Sequence, residues 1–166
     1  VRIDDWATFF RTTELNHNVA SVTVETRVDG FTNTADFSVE AELLDAEGTH
    51  VATVRNQLTD GGIFRAQMKI ADAHLWTPES PYLYCLKIKL FQNGQPIDEQ
   101  ILKTGIRTVA VNKEGGFMLN GVSRKLKGVC LHHDLGPLGA AVNRAALIRQ
   151  ISIMKEMGAD AIRPDH

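Results

Sequence analysis

The sequence predicts a mainly β fold, a two-sheet sandwich followed by a β-loop-α-β unit, and three observations carry that expectation. Apolar and polar residues alternate along short stretches between residues 22 and 111, the period of half-buried strands. Turn-forming pairs such as Asp29-Gly30 and Asn93-Gly94 separate those stretches. Beyond Asn143 the period changes to that of an amphipathic helix, and a short apolar run follows.

Residues 1–18 are expected to form an N-terminal linker or a leading strand. Val22, Val24, Thr26 and Val28 then face one side of a strand that ends at Asp29-Gly30 and Asn33. Phe37, Val39, Ala41 and Leu43 alternate with Ser38, Glu40 and Glu42 until Ala46-Glu47-Gly48 breaks the strand. A short strand is expected over residues 51–55, and Phe64, Ala66, Met68 and Ile70 form the next inward row. Tyr84, Leu86, Ile88 and Leu90 form another, with Lys87 and Lys89 on the outer face. Asn93-Gly94 predicts a tight hairpin into residues 97–102, and residues 106–111 complete the set. Roughly seven short strands with regular turns favour two packed antiparallel sheets.

The last segment reads differently. Asn143 suits a helix N-cap and Gly158 a stop, giving a helix over about residues 144–157. Leu147, Ile148, Ile151 and Met154 fall on one stripe, while Arg149, Gln150, Lys155 and Glu156 take the wet side. Residues 159–163 form a short apolar run suited to a strand parallel to the one before the helix. The loop between, residues 132–142, is rich in Gly and contains Pro137.

Composition narrows the function classes. The chain has 166 residues, and 18 Lys and Arg against 20 Asp and Glu give a net charge of −2. Charges of both signs are interspersed, so nothing points to nucleic acid or an anionic membrane as a partner. No apolar run approaches the ~20 residues of a membrane span. The opening VRIDDWATFF lacks the build of a signal peptide, and no compartment follows from the sequence. Cys85 and Cys130 do not make a disulfide framework and are expected to be buried free thiols.

Several motifs are more specific. Residues 76–84 read Trp-Thr-Pro-Glu-Ser-Pro-Tyr-Leu-Tyr, residues 105–111 Gly-Ile-Arg-Thr-Val-Ala-Val, and residues 116–121 Gly-Phe-Met-Leu-Asn-Gly. With the strand and His-His-Asp loop that follow, they resemble the second domain and barrel junction of family 2 glycoside hydrolases. That is the β-galactosidase, β-glucuronidase and β-mannosidase group, and the loop and final strand look most like the β-galactosidase subgroup. The resemblance implies an immunoglobulin-like β-sandwich over residues 19–114, then a truncated β/α unit of a TIM barrel over residues 115–166. In the Trp76–Tyr84 segment the prolines fix the start of a strand and the aromatics cover the end of a core, in preference to forming an exposed sugar platform.

The resemblance also assigns residues. His132, after the first barrel strand, matches a histidine lining the sugar subsite. Arg163 matches the arginine beside the nucleophilic carboxylate, and His166 the histidine of the family's Arg-x-Ser-His signature. The chain departs from that signature with Pro164-Asp165, and Cys130-Leu131 stands where some relatives have Asn-Arg. His133 and Asp134 are assigned to loop structure. An arginine can hold a carboxylate ionised, and imidazoles can donate to sugar hydroxyls.

No metal or cofactor is expected. His132, His133, Asp134 and His166 are ligand types, but no Cys-x-x-Cys or His-Glu-x-x-His spacing supports a site. Family 2 members are retaining glycosidases, which need two carboxylates about 5–5.5 Å apart. The family places them on later barrel strands, so Glu114, Asp134, Glu156 and Asp160 receive no catalytic role. The expected function is a non-catalytic scaffold within a glycosidase, by family likeness a β-galactosidase, acting on a β-galactoside or related glycoside. A carbohydrate-binding or adhesion sandwich explains the β region equally well but not the helix and strand behind it. The apolar helix stripe is expected to dock on the chain's own sandwich or on a second copy, forming a homo-oligomer.

Overall fold

Alternation along the first two-thirds of the chain becomes eight strands. They are β1 (Arg2–Ile3), β2 (Phe9–Asn16), β3 (Val19–Asp29), β4 (Phe37–Leu44), β5 (His50–Gln57), β6 (Ile63–Ala71), β7 (Tyr84–Gln92) and β8 (Gln95–Thr104). These come from a computed structural model that describes residues 1–132 and 135–164. Contacts divide the chain into two units, Val1–Val109 with Leu119–Gly121, and Ala110–Met118 with the residues from Val122 onward.

In the first unit, β1 and β2 pair in succession with β3, and β6 pairs with the opposite edge of β3. The second sheet runs β5-β4-β7-β8, all antiparallel. One face of each sheet supplies the core: Val22 and Val24 from β3, Phe64 and Ile70 from β6, Val39 and Leu43 from β4, Leu86 and Ile88 from β7. Each such side chain contributes about 1.5–3 kcal/mol by leaving water. Thr26 lies in the same row and is fully buried, and its hydroxyl meets Thr8 Oγ1 at 2.7 Å. Thr8 in turn donates to Gln100 Oε1 at 2.6 Å, so the buried hydroxyl has its partner. The Asn93-Gly94 hairpin forms as expected, with both φ angles positive, at 48° and 82°, and Gln92 opposite Gln95.

One expectation narrows and another needs revision. Of the alternatives for residues 1–18, the strand is the one found, because β2 pairs along most of β3. Residues 106–111 are not one strand. Ile106 is buried and bridges to Leu75, and Trp76 N–H donates to the Ile106 carbonyl at 2.8 Å. A Cβ on Gly105 would lie 2.9 Å from Trp76 Cβ, so the chain can pass there only as glycine. The backbone then enters a separate sheet.

The aromatics of the Trp76–Tyr84 segment close the end of the sandwich. Tyr82 packs against the core, stacks on His74 at 4.8 Å and accepts from Ala46 N–H at 3.1 Å. Tyr84 is buried, and its hydroxyl accepts from His74 N–H at 2.8 Å. This is a tyrosine at the start of a sandwich strand bonded back to upstream backbone. Burial pushes its phenol above the usual value. Tyr84→Phe leaves the His74 N–H without that acceptor, and the urea midpoint is expected to fall by the equivalent of about 1–3 kcal/mol. The neutral phenol is the form the fold favours, so this stability is present below the ordinary tyrosine range and is lost as pH rises through the raised value.

The remaining elements are β9 (Val109–Asn112), β10 (Gly116–Leu119), β11 (Val122–Ser123), β12 (Gly128–Leu131), α1 (Arg144–Glu156) and β13 (Ala161–Pro164). The first three form a small sheet in the order β11-β10-β9, closed by Asn120-Gly121 with φ of 52° and 77°. Asn143 caps α1, its side chain accepting from Ala146 N–H at 3.0 Å. Gly158 follows the helix with φ 92°. None of the residues of α1 is buried, and Ile148 and Ile151 remain 50% and 45% exposed. No helix among the described residues is long and apolar enough to cross a membrane.

The cysteines correct another expectation. Both are free thiols, but Cys85 is only half-buried and Cys130 is exposed. Cys85 occupies an outward position of β7, between inward Tyr84 and Leu86. Cys130 takes an exposed position of β12, alternating with the half-buried Val129 and Leu131.

Candidate functional site

β12 and β13 pair in parallel, with Gly128 opposite Ala161, Val129 opposite Ile162, Cys130 opposite Arg163 and Leu131 opposite Pro164. Parallel neighbours need a crossover, and α1 lies within it. The register decides what stands at the C-terminal end of the pair. His132 follows β12 directly, and Arg163 is the third residue of β13. Both are exposed. Two of the three predicted site residues therefore come to the same end of adjacent parallel strands. His166 lies outside the described residues, as do His133 and Asp134. Arg163 takes part in no ion pair among the described residues, so its guanidinium is available to an anion.

The opposite end of the pair is locked by groups that the sequence does not flag. Asp160, just before β13, accepts from Lys127 N–H at 2.8 Å, and Lys127 leads into β12. In return Asp160 N–H donates to the Lys127 carbonyl at 3.1 Å. Arg124 Nη2 lies 3.4 Å from the second carboxylate oxygen. The Asp160 side chain is only 13% exposed. The Lys127 N–H, and then Arg124, hold its carboxyl below the usual carboxylate range against the opposing effect of desolvation. Its partners lie 33 and 36 positions away in the chain, so no local pattern could have revealed the clamp.

The clamp gives a pH prediction. A carboxylate with a lowered value in the folded state adds stability above its unfolded value, about 3.9, and loses it as pH falls through the folded value. Amide exchange protection in β12 and β13 should therefore weaken under acid. Asp160→Asn should flatten that dependence, since an amide keeps the acceptor but does not titrate. Equal acid sensitivity in the variant would remove Asp160 as its cause.

No group of three or more His, Cys, Asp or Glu side chains gathers to hold a metal ion among the described residues. Among the described residues, this end of the unit carries the Arg163 guanidinium and the His132 imidazole, groups suited to polar or anionic ligands.

A mainly β, two-sheet sandwich and a parallel β-α-β unit are the architecture described so far. The family model for glycosyl hydrolases family 2 matches residues 1–107, and the chain belongs to that family. It is 36% identical over 171 residues to the β-galactosidase BoGH2A of Bacteroides ovatus, covering 100% of this chain and 20% of that protein. It is 35% identical over 162 residues to the β-glucuronidase of Felis catus, covering 93% of this chain and 23% of that one. Among solved structures, a β-glycosidase from Bacteroides vulgatus superposes with a TM-score of 0.86 at 32% identity, over 99% of this chain and 21% of that one. A Bifidobacterium dentium β-glucuronidase gives 0.89 at 26% identity, over 99% of this chain and 27% of that one. The chain thus spans about a fifth to a quarter of the length of these relatives.

Proposed function

We propose that this chain is the scaffold of a longer retaining β-galactosidase, and that it contributes substrate-side residues without the catalytic pair. The observation that carries the reading is the β12–β13 register. It brings His132 and Arg163 to the C-terminal ends of parallel strands, where barrel enzymes assemble their sites. In this reading β12, α1 and β13 open a (β/α)8 barrel. His132 and His166 face the sugar, and Arg163 orients the nucleophilic carboxylate. The sandwich holds the first barrel strand in place. The likeness to the B. ovatus β-galactosidase supports galactose as the sugar, while the β-glucuronidases among the relatives make glucuronic acid the rival.

The test uses p-nitrophenyl β-galactoside and p-nitrophenyl β-glucuronide. The 166-residue chain is expected to release no p-nitrophenol above buffer, because retaining hydrolysis needs two carboxylates about 5–5.5 Å apart. The product of any coding frame that continues past His166 is expected to cleave the galactoside faster. Faster cleavage of the glucuronide would overturn the choice of sugar, and turnover by the short chain would overturn the scaffold role.

A further inference from the structure

Outward side chains of the first sheet form a cleft of about 250 Å³, lined by Phe9, Arg11, Thr13, Thr23, Glu25 and Arg65. The strand register makes them neighbours on one face. Val22 and Val24 of β3 point into the core, so Thr23 and Glu25 point out. Across the strands Phe9 stands opposite Glu25, Arg11 opposite Thr23, and Glu25 opposite Arg65. The register shift between Thr12 and Glu14 adds Thr13 to the same face, as a bulge re-aims a side chain. The volume is just under the roughly 300–1,000 Å³ of sites for drug-sized molecules, so it suits one ring of a polar ligand.

Groups of both signs meet there with bonding capacity to spare. Arg65 reaches Glu25 through Nε at 2.7 Å and Nη2 at 2.6 Å, and both contacts fall on Oε2. That ion pair leaves Glu25 Oε1 to accept from a ligand. Arg11 takes part in no ion pair among the described residues, and its guanidinium lies 5.2 Å over the Phe9 ring. A guanidinium stacked on its flat face keeps its in-plane N–H donors open. The Thr13 hydroxyl donates to the Ser21 carbonyl at 3.1 Å and can still accept, and Thr23 adds a second hydroxyl. Phe9 is 45% exposed, so part of its ring is open to an apolar contact.

An anion in this cleft would meet the Glu25 carboxylate, and a cation would meet Arg11 and Arg65. A hydroxyl both donates and accepts, so a ring carrying several of them satisfies both signs at once. We propose that the cleft binds one pyranose ring of a neutral saccharide. Glu25 accepts from one sugar hydroxyl, Arg11 donates to another, and Phe9 packs on the ring's C–H surface. The site lies wholly within the sandwich and is independent of the barrel reading above.

The test is an amide chemical-shift titration of the full chain with methyl β-galactoside, methyl β-glucoside and methyl β-mannoside. Sodium acetate and glycine serve as anionic and zwitterionic controls. Saturable shifts at Phe9, Arg11, Thr23 and Glu25 are expected with at least one glycoside and with neither control. Arg11→Gln removes an exposed side chain that holds no ion pair, and its dispersed spectrum will verify the fold. Its affinity for that glycoside should fall about tenfold or more, the scale of one lost hydrogen bond to a charged group. Lys103→Gln, on the outer face of the other sheet opposite Cys85, should leave the affinity unchanged. The proposal is overturned if no glycoside gives saturable shifts at these amides, or if acetate or glycine saturates them. It is also overturned if folded Arg11→Gln binds like the parent, or if Lys103→Gln weakens binding as much.

Discussion

Phe64→Ala is expected to remove about 3–5 kcal/mol from the sandwich, the largest loss of any single truncation here. Phe64 heads the fully buried side chains ranked by volume, and it lies on β6 opposite Thr26 of β3. Truncation removes the transfer free energy of the ring and leaves a cavity that neighbours on two packed sheets cannot fill. A domain of this size holds about 5–15 kcal/mol in total, so the variant sits close to its unfolding limit. Urea denaturation followed by circular dichroism should show a midpoint lowered by more than about 1 M, given a slope of about 1–3 kcal/mol per M. Ile101 is the internal control: it is apolar but 56% exposed, and its replacement by alanine should stay within about 0.5 kcal/mol. If the two variants unfolded alike, Phe64 would not be central to the core.

Where the chain alternates, the sequence announces its own strands. Phe37 to Leu43, Phe64 to Ile70 and Tyr84 to Leu90 put their apolar residues inward because each strand has one dry and one wet face. The hairpin at Asn93-Gly94 and the cap at Asn143 are legible because few residue types tolerate those backbone geometries or bonds. β2 is harder to read, since its pairing shifts register between Thr12 and Glu14 and the side-chain parity shifts with it. Ile106 looks like the start of a strand because it is apolar and buried, yet it packs in the core on an isolated bridge to Leu75 and starts no strand. Cys130 shows the limit of reading burial from polarity, because whether an apolar residue is covered depends on which layers surround its strand. The site divides in the same way. Family motifs are what single out His132 and Arg163 in the sequence, whereas the Asp160 clamp beside the strand pair joins distant residues.

In the longer enzyme proposed above, Arg163→Gln is expected to lower kcat/KM on an aryl β-galactoside by about 10²–10³-fold, the effect of losing one preorganised electrostatic donor. Arg163→Lys should fall between the variant and the parent, because it keeps the charge and loses the planar fork. The pH profile separates this role from a merely structural one. A cation beside the nucleophile holds that carboxylate ionised, so removing it raises the carboxylate's pKa, and the acid limb of the profile should move to higher pH. A structural defect would lower the rate at every pH without moving the limb. The fold itself should survive, since Arg163 is exposed and joins no ion pair among the described residues. An unshifted acid limb with full activity would place Arg163 away from the reacting centre. The parallel register would then serve to build the strand pair alone, leaving the sugar contacts to other residues.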